Sequence, residues 1–298
     1  HCSVTGLSSP SGNCSAGYYC LLGATSSTPT TGSTGGICPT GYYCPVTGLV
    51  NPVACSPGTY SPDTGATSCR KCPESYYCPW NTTVPVDCPA GNYCPEGTGL
   101  TIPKCPLGSY GPVTLLPAAS NCTSCDNGMY CGSTALTSPT GPCSPGYYCL
   151  SGSSTPNPST FTSIGGPCPK GYYCPGAPGG CNGTGTIVPL PCPAGKYYPI
   201  TGNDDIAKCM SCPPGTFCNT SGLFYTYVCP QGAYCPTGSV EPTLCPPGTY
   251  NNVTGANNDT QCLPCTAGKY CSGDGNVVPD GPCSAGVWCS GSAIDNVA

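Results

Sequence analysis

The sequence predicts small disulfide-rich modules, built from short irregular β-hairpins with almost no helix and strung in tandem into an elongated rod. Three observations carry that expectation: the cysteine content, the poverty of core-forming residues, and one motif that recurs along the chain. Cysteine supplies 32 of 298 residues, above the ~8–10% that marks a disulfide scaffold. Leu, Ile, Val and Phe together number 39, about 13% of the chain and below the ~20% at which hydrophobic cores usually become possible. Gly (43) and Pro (39) favour turns over long regular elements. Without cross-links such a composition stays disordered. With them, each bridge contributes ~2–4 kcal/mol by restricting the unfolded chain.

The repeat begins with pairs of cysteines six residues apart. Eleven occur, from Cys14/Cys20 to Cys283/Cys289. Gly stands three residues after the first Cys in ten of them, with Ser75 the exception, and an aromatic residue precedes the second Cys in all eleven. Cys55, Cys105, Cys192 and Cys245 open the same motif, with Gly and Tyr at the same offsets, and are followed by another Cys after 14 to 17 residues. That Cys opens a Cys-x-x-Cys whose second member begins a six-spaced pair, and in the full copies a further six-spaced pair completes six cysteines. The composite is a unit of about 50 residues, near the size at which staples become necessary. The expected units are a truncated copy (1–54), a full copy (55–104), an expanded copy (105–191) and two further full copies (192–244 and 245–298). Within a motif, Pro fixes φ, Gly allows the chain to reverse, and the aromatic is expected to lie over a neighbouring disulfide.

Spacing alone does not dictate connectivity. The expected arrangement closes each long loop, Cys55 with Cys69, Cys105 with Cys122, Cys192 with Cys209 and Cys245 with Cys262. The two pairs that follow are then expected to interlock first-to-first and second-to-second. The truncated and expanded copies hold odd numbers of cysteines. Cys2 and Cys181 are therefore candidates for a bridge between units or to another chain.

Motifs such as Cys245-Pro-Pro-Gly-Thr-Tyr250, continuing to Cys262-Leu-Pro-Cys265, resemble the ephrin-receptor-like cysteine-rich repeat. That module is similar in style to tumour-necrosis-factor-receptor and EGF-like modules. The resemblance covers nearly the whole chain. It implies a place in a receptor ectodomain, a matrix protein or a large surface protein of protists and algae, mastigoneme-type flagellar-hair proteins among them.

Chemistry-bearing residues are few. The only histidine is His1, and twelve scattered carboxylates offer no positioned base, so no enzyme is expected. The Cys-x-x-Cys pairs have the spacing of zinc ligands, but their place in the cysteine pattern favours structural bridges, and no cofactor or metal is expected. Asp204 and Asp205 are adjacent in a loop; a solvated turn is favoured over a weak calcium site. Seven basic residues against twelve acidic ones, without runs, exclude a nucleic-acid partner and a polybasic membrane contact. No apolar stretch is long enough for a membrane span, and no leader stands at the start, as in a mature chain or fragment.

Sugar attachment is the chemistry best supported. Asn13, Asn81, Asn121, Asn182, Asn219, Asn252 and Asn258 each open an Asn-x-Ser/Thr sequon, whereas Asn157 precedes Pro. The segments 24–36 and 151–165 have the composition of loops or linkers open to O-linked sugar. The expectation is a secreted or cell-surface glycoprotein, a structural subunit of a filament, flagellar appendage or surface coat, whose partners are further copies of itself or other surface proteins. A receptor or adhesion stalk that binds a protein ligand is the alternative.

Overall fold

A computed structural model of the chain describes residues 1–5, 9, 11–30, 32–176 and 185–297. Among them there are thirteen two-stranded sheets and only isolated 3-10 turns for helix. The disulfide-rich tandem architecture expected from composition is therefore present. Two compact units divide the chain: His1–Asp126 with Tyr130–Thr140, and Asn127–Met129 with Gly141–Ala298.

One small element is repeated in both units. Take the motif at Cys72. Tyr76 N–H donates to Pro73 O across the reverse turn, and Ser75 at its apex has φ +73°. The following strand, Tyr76–Tyr77, pairs antiparallel with Val86–Asp87. The turn brings the Cα atoms of Cys72 and Cys78 to 5.8 Å, and the two bond to each other. The expected interlocking of successive six-spaced pairs is thus not what forms. Every such pair from Cys14–Cys20 to Cys283–Cys289 closes on itself. The physical reason is local. A turn centred on the third and fourth residues returns the chain beside its start, within the 4.4–6.8 Å span that a disulfide bridges, before the second pair has been reached.

The four motifs without a Cys at the sixth position reach the same end by a longer route. The bridges are Cys55–Cys69, Cys105–Cys122, Cys192–Cys209 and Cys245–Cys262. In the last three, a 3-10 turn immediately precedes the closing cysteine, at Ala119–Asn121, Ile206–Lys208 and Asp259–Gln261. The place left by the missing sulfur is taken by other residues. Asn251, buried, donates from Nδ2 to Ala233 O.

The core consists mainly of cystine. Most bridged cysteines are fully buried, while many larger apolar side chains remain exposed. Aromatics of one motif cover the sulfurs of the next: Tyr197 packs against Cys212 and Cys218, and Phe217 against Cys229 and Cys235.

Successive hairpins are also joined through backbone. The first cysteine of each motif donates its N–H to the carbonyl of the apex residue of the motif before. Six such bonds lie in the first unit (Cys38 to Gly17 through Cys125 to Gly108) and eight in the second (Cys143 to Gly128 through Cys283 to Gly268). The apex N–H returns the exchange, as when Gly195 donates to Cys218 O and Gly215 to Cys235 O. The bond also spans the boundaries expected at 54/55, 104/105, 191/192 and 244/245, through Cys55 to Gly41, Cys105 to Gly91, Cys192 to Gly171 and Cys245 to Gly232. The repeating element of the backbone is thus one hairpin, and the 50-residue composite is a pattern of cysteines laid over it.

Glycine at the apex meets two demands. Its φ is positive, +81° at Gly195, and a Cβ there would stand 2.7 Å from Gly238 O, in the loop of the second hairpin onward. The described residues of the segments 24–36 and 151–165 are integrated in the same way. They form loops within the hairpins Tyr18–Cys20/Gly35–Ile37 and Tyr147–Cys149/Gly165–Pro167, tied down by bonds such as Ser15 N–H to Ser27 O and Ser144 N–H to Pro156 O.

Candidate functional site

The residues singled out in the sequence fall into three chemical groups: sequon asparagines, cysteines and a pair of aspartates. Asn13, Asn81, Asn121, Asn219, Asn252 and Asn258 are all exposed. Asn182 and Cys181 lie outside the described residues. Asn13 precedes Cys14, and Asn121 precedes Cys122, both bridged. Asn81 sits at φ +58° and its Nδ2 donates to the Tyr42 hydroxyl at 3.3 Å. At Asn258 the sequon hydroxyl of Thr260 donates to Oδ1 at 2.6 Å. Asn219 and Asn252 share a register: each stands seven residues after the first Cys of its motif and two after the aromatic, Phe217 and Tyr250.

The cysteines divide sharply. In each Cys-x-x-Cys the two sulfurs go to different bridges, Cys69 to Cys55 and Cys72 to Cys78, for example. They are committed to sulfur rather than to a shared ion, and among the described residues no group of three or more His, Cys, Asp or Glu side chains could hold a metal. Cys2 alone among the described cysteines is free, and it is exposed.

Asp204 and Asp205 turn to separate tasks. The Lys208 ammonium lies 2.5 Å from Asp204 Oδ1. The Lys208 ammonium beside it holds the Asp204 carboxyl below its ordinary range. Asp205 Oδ1 accepts from Ala207 N–H and caps the 3-10 turn at Ile206–Lys208. The pair stabilises a turn ahead of the Cys209 bridge.

No family model and no curated protein matches this chain.

The fold also assembles an aromatic cluster that the repeat motif does not mark. Phe217 stacks on its cross-strand partner Tyr227, with centroids 5.5 Å apart. Tyr227 meets Tyr225 edge-on at 5.1 Å, and Tyr225 meets Phe224 in the same way. The Tyr225 and Tyr227 hydroxyls lie 2.7 Å apart, and this hydrogen bond raises Tyr227 above the usual phenol range. Phe224, Tyr225 and Tyr227 are exposed. Elsewhere the motif aromatic faces other partners, Val86 for Tyr77 and Leu263 for Tyr250. The sequence signal was the run Phe224-Tyr225-Thr226-Tyr227, in a chain with three Phe in all.

Bridging on this scale belongs to an oxidising compartment, and among the described residues no helix is long and apolar enough to cross a membrane.

Proposed function

We propose that this chain is a structural subunit of an extracellular glycosylated filament, flagellar appendage or surface coat, and that it is not an enzyme. The observation that carries the proposal is the backbone exchange between successive hairpins, repeated through each unit. It uses no specific side chain at the point of contact. Repeats bonded only to near neighbours suit a protein whose task is to extend and persist. Cystine in place of a hydrocarbon core serves the same end, since covalent staples survive dilution and heat better than weak apolar contacts. The exposed sequons supply positions for a glycan coat facing the surroundings.

Electron microscopy of native, unfractionated material tests the proposal. Regular filaments or a coat containing this chain, with sugar density at the sequons, are the expected result. Dispersed single molecules would refute the polymer and favour a receptor or adhesion stalk.

A further inference from the structure

The exposed aromatic cluster has a sequon asparagine two residues beyond its first ring. Asn219 lies two residues beyond Phe217, and the residue between them, Cys218, turns inward to its bridge with Cys212. Residues two apart along extended chain share a face, so Asn219, two beyond the strand residue Phe217, falls on the side of that ring, which also borders Cys229 and Cys235 of the next hairpin. Phe217 is the end of a chain of four touching rings, Phe217, Tyr227, Tyr225 and Phe224. Every ring–ring contact among the described residues belongs to this cluster.

We propose that the cluster is a built-in platform for the N-linked glycan of Asn219, with the first N-acetylhexosamine lying over Phe217 and Tyr227. The inference rests on the reading of this chain as a secretory glycoprotein. In the attachment step, Asn219 Nδ2 forms a bond to the sugar C1 and loses one proton. The bond from C1 to the pyrophosphate of a polyprenyl-linked oligosaccharide breaks, and the lipid pyrophosphate leaves with the bonding electrons. The apolar C–H face of a pyranose then covers the part of the cluster that meets water, the exposed Tyr227 and the outer side of half-buried Phe217, whose inner side packs against Cys229 and Cys235. The phenol hydroxyls of Tyr225 and Tyr227 stand at the margin of the cluster as donors or acceptors for the sugar's polar edge. Asn252 provides an internal comparison. It has the same register and an aromatic at the same offset, but Tyr250 pairs with Leu263 and has no second ring beside it. Its sugar gains less.

The test uses the full chain secreted from a eukaryotic host, first as glycopeptides by mass spectrometry and then as intact protein with glycans trimmed to the first sugar. Asn219 is expected to be occupied, with nuclear Overhauser contacts from its sugar to the Phe217 and Tyr227 rings. Loss of the sugar in Asn219→Gln is expected to speed amide exchange in the Thr216–Phe217/Tyr227–Val228 hairpin by about 2- to 10-fold, the range of an aromatic contact. The same loss in a Tyr227→Leu background should have less effect. The exposed variant Tyr225→Ala keeps the test open if Tyr227→Leu fails to fold: it should reduce the effect in part, without disturbing the Cys212–Cys218 bridge. An occupied Asn219 whose sugar makes no ring contact overturns the proposal. So does an empty Asn219 beside occupied sequons elsewhere. If every sequon is empty, the glycoprotein reading fails together with it.

Discussion

Replacing Gly195 and Gly268 by alanine separates the two demands made on the apex glycine. Both have φ +81°, and both exchange the same backbone hydrogen bonds with the next hairpin, Gly195 with Cys212 and Cys218, Gly268 with Cys283 and Cys289. They differ in surroundings. A Cβ at Gly195 would lie 2.7 Å from Gly238 O and 3.4 Å from Val240 Cγ2, whereas one at Gly268 has nothing within 4 Å. Left-handed backbone costs an L-residue about 1–2 kcal/mol. Part of this is offset by the lower entropy of the unfolded alanine chain, about 0.4–1 kcal/mol. Gly268→Ala should therefore destabilise by roughly 1 kcal/mol. Gly195→Ala adds an overpacking term of about 1–3 kcal/mol, because a backbone carbonyl cannot move aside as a side-chain tip can. Native-state hydrogen exchange of the Cys212 and Cys283 amides, which donate to the two apex carbonyls, reads each opening separately. The ratio of acceleration, Gly195→Ala over Gly268→Ala, should be about 5- to 150-fold. Equal acceleration would show that the loop at Gly238 gives way freely, and that glycine is required at the apex for its φ alone.

Three further outcomes follow from the bridges and charges. Converting Cys72 and Cys78 to Ser should cost about 2 kcal/mol, and converting Cys105 and Cys122 about 3 kcal/mol, from loop-closure entropy over 6 and 17 residues; thermal unfolding without reductant ranks the two, and the reverse order would contradict the entropic account. Asp280 accepts from the Ser272 N–H and hydroxyl, and the amide bond is the larger cause holding its carboxyl below the ordinary range. Its folded pKa thus lies below the unfolded one, so its contribution is complete above the unfolded value of about 3.9 and disappears as pH falls through the folded value. The Ser272 amide resonance should titrate with a midpoint below that of a free aspartate, and Asp280→Asn should abolish the step. Cys2 should react with maleimide in the native chain, giving a labelled peptide that Cys2→Ser removes, while bridged cysteines remain unlabelled until reduction.

Much of the hairpin was legible in the residues themselves. Pro and Gly hold fixed offsets from a cysteine because turn and reversal are local requirements written within six residues, whereas the aromatic at its fixed offset covers the sulfurs of the following motif, as Tyr197 does those of Cys212 and Cys218. The long-loop bridges at Cys55, Cys105, Cys192 and Cys245 could be named because each has a cysteine as its next cysteine neighbour. For the six-spaced pairs the expected interlocking differs from the bridges that form, because the turn at Pro73–Tyr76 returns Cys78 beside Cys72. The exchange between hairpins had no sequence signature, since N–H and C=O groups are common to nearly every residue. That is why units of 50 residues stood out in the sequence and single hairpins in the structure. The aromatic cluster was hidden for a related reason. Phe217 occupies the motif position, but Tyr227 becomes its partner only through strand register.

Among the described residues, none of the bridges joins residues more than 17 apart. During synthesis into an oxidising compartment, a cysteine is followed by its partner within seconds, at elongation rates of about 5–20 residues per second. Oxidation can therefore keep pace with translation, one hairpin at a time, without waiting for distant segments. A chain of this kind can be lengthened by adding hairpins without enlarging the pairing problem faced by those already made.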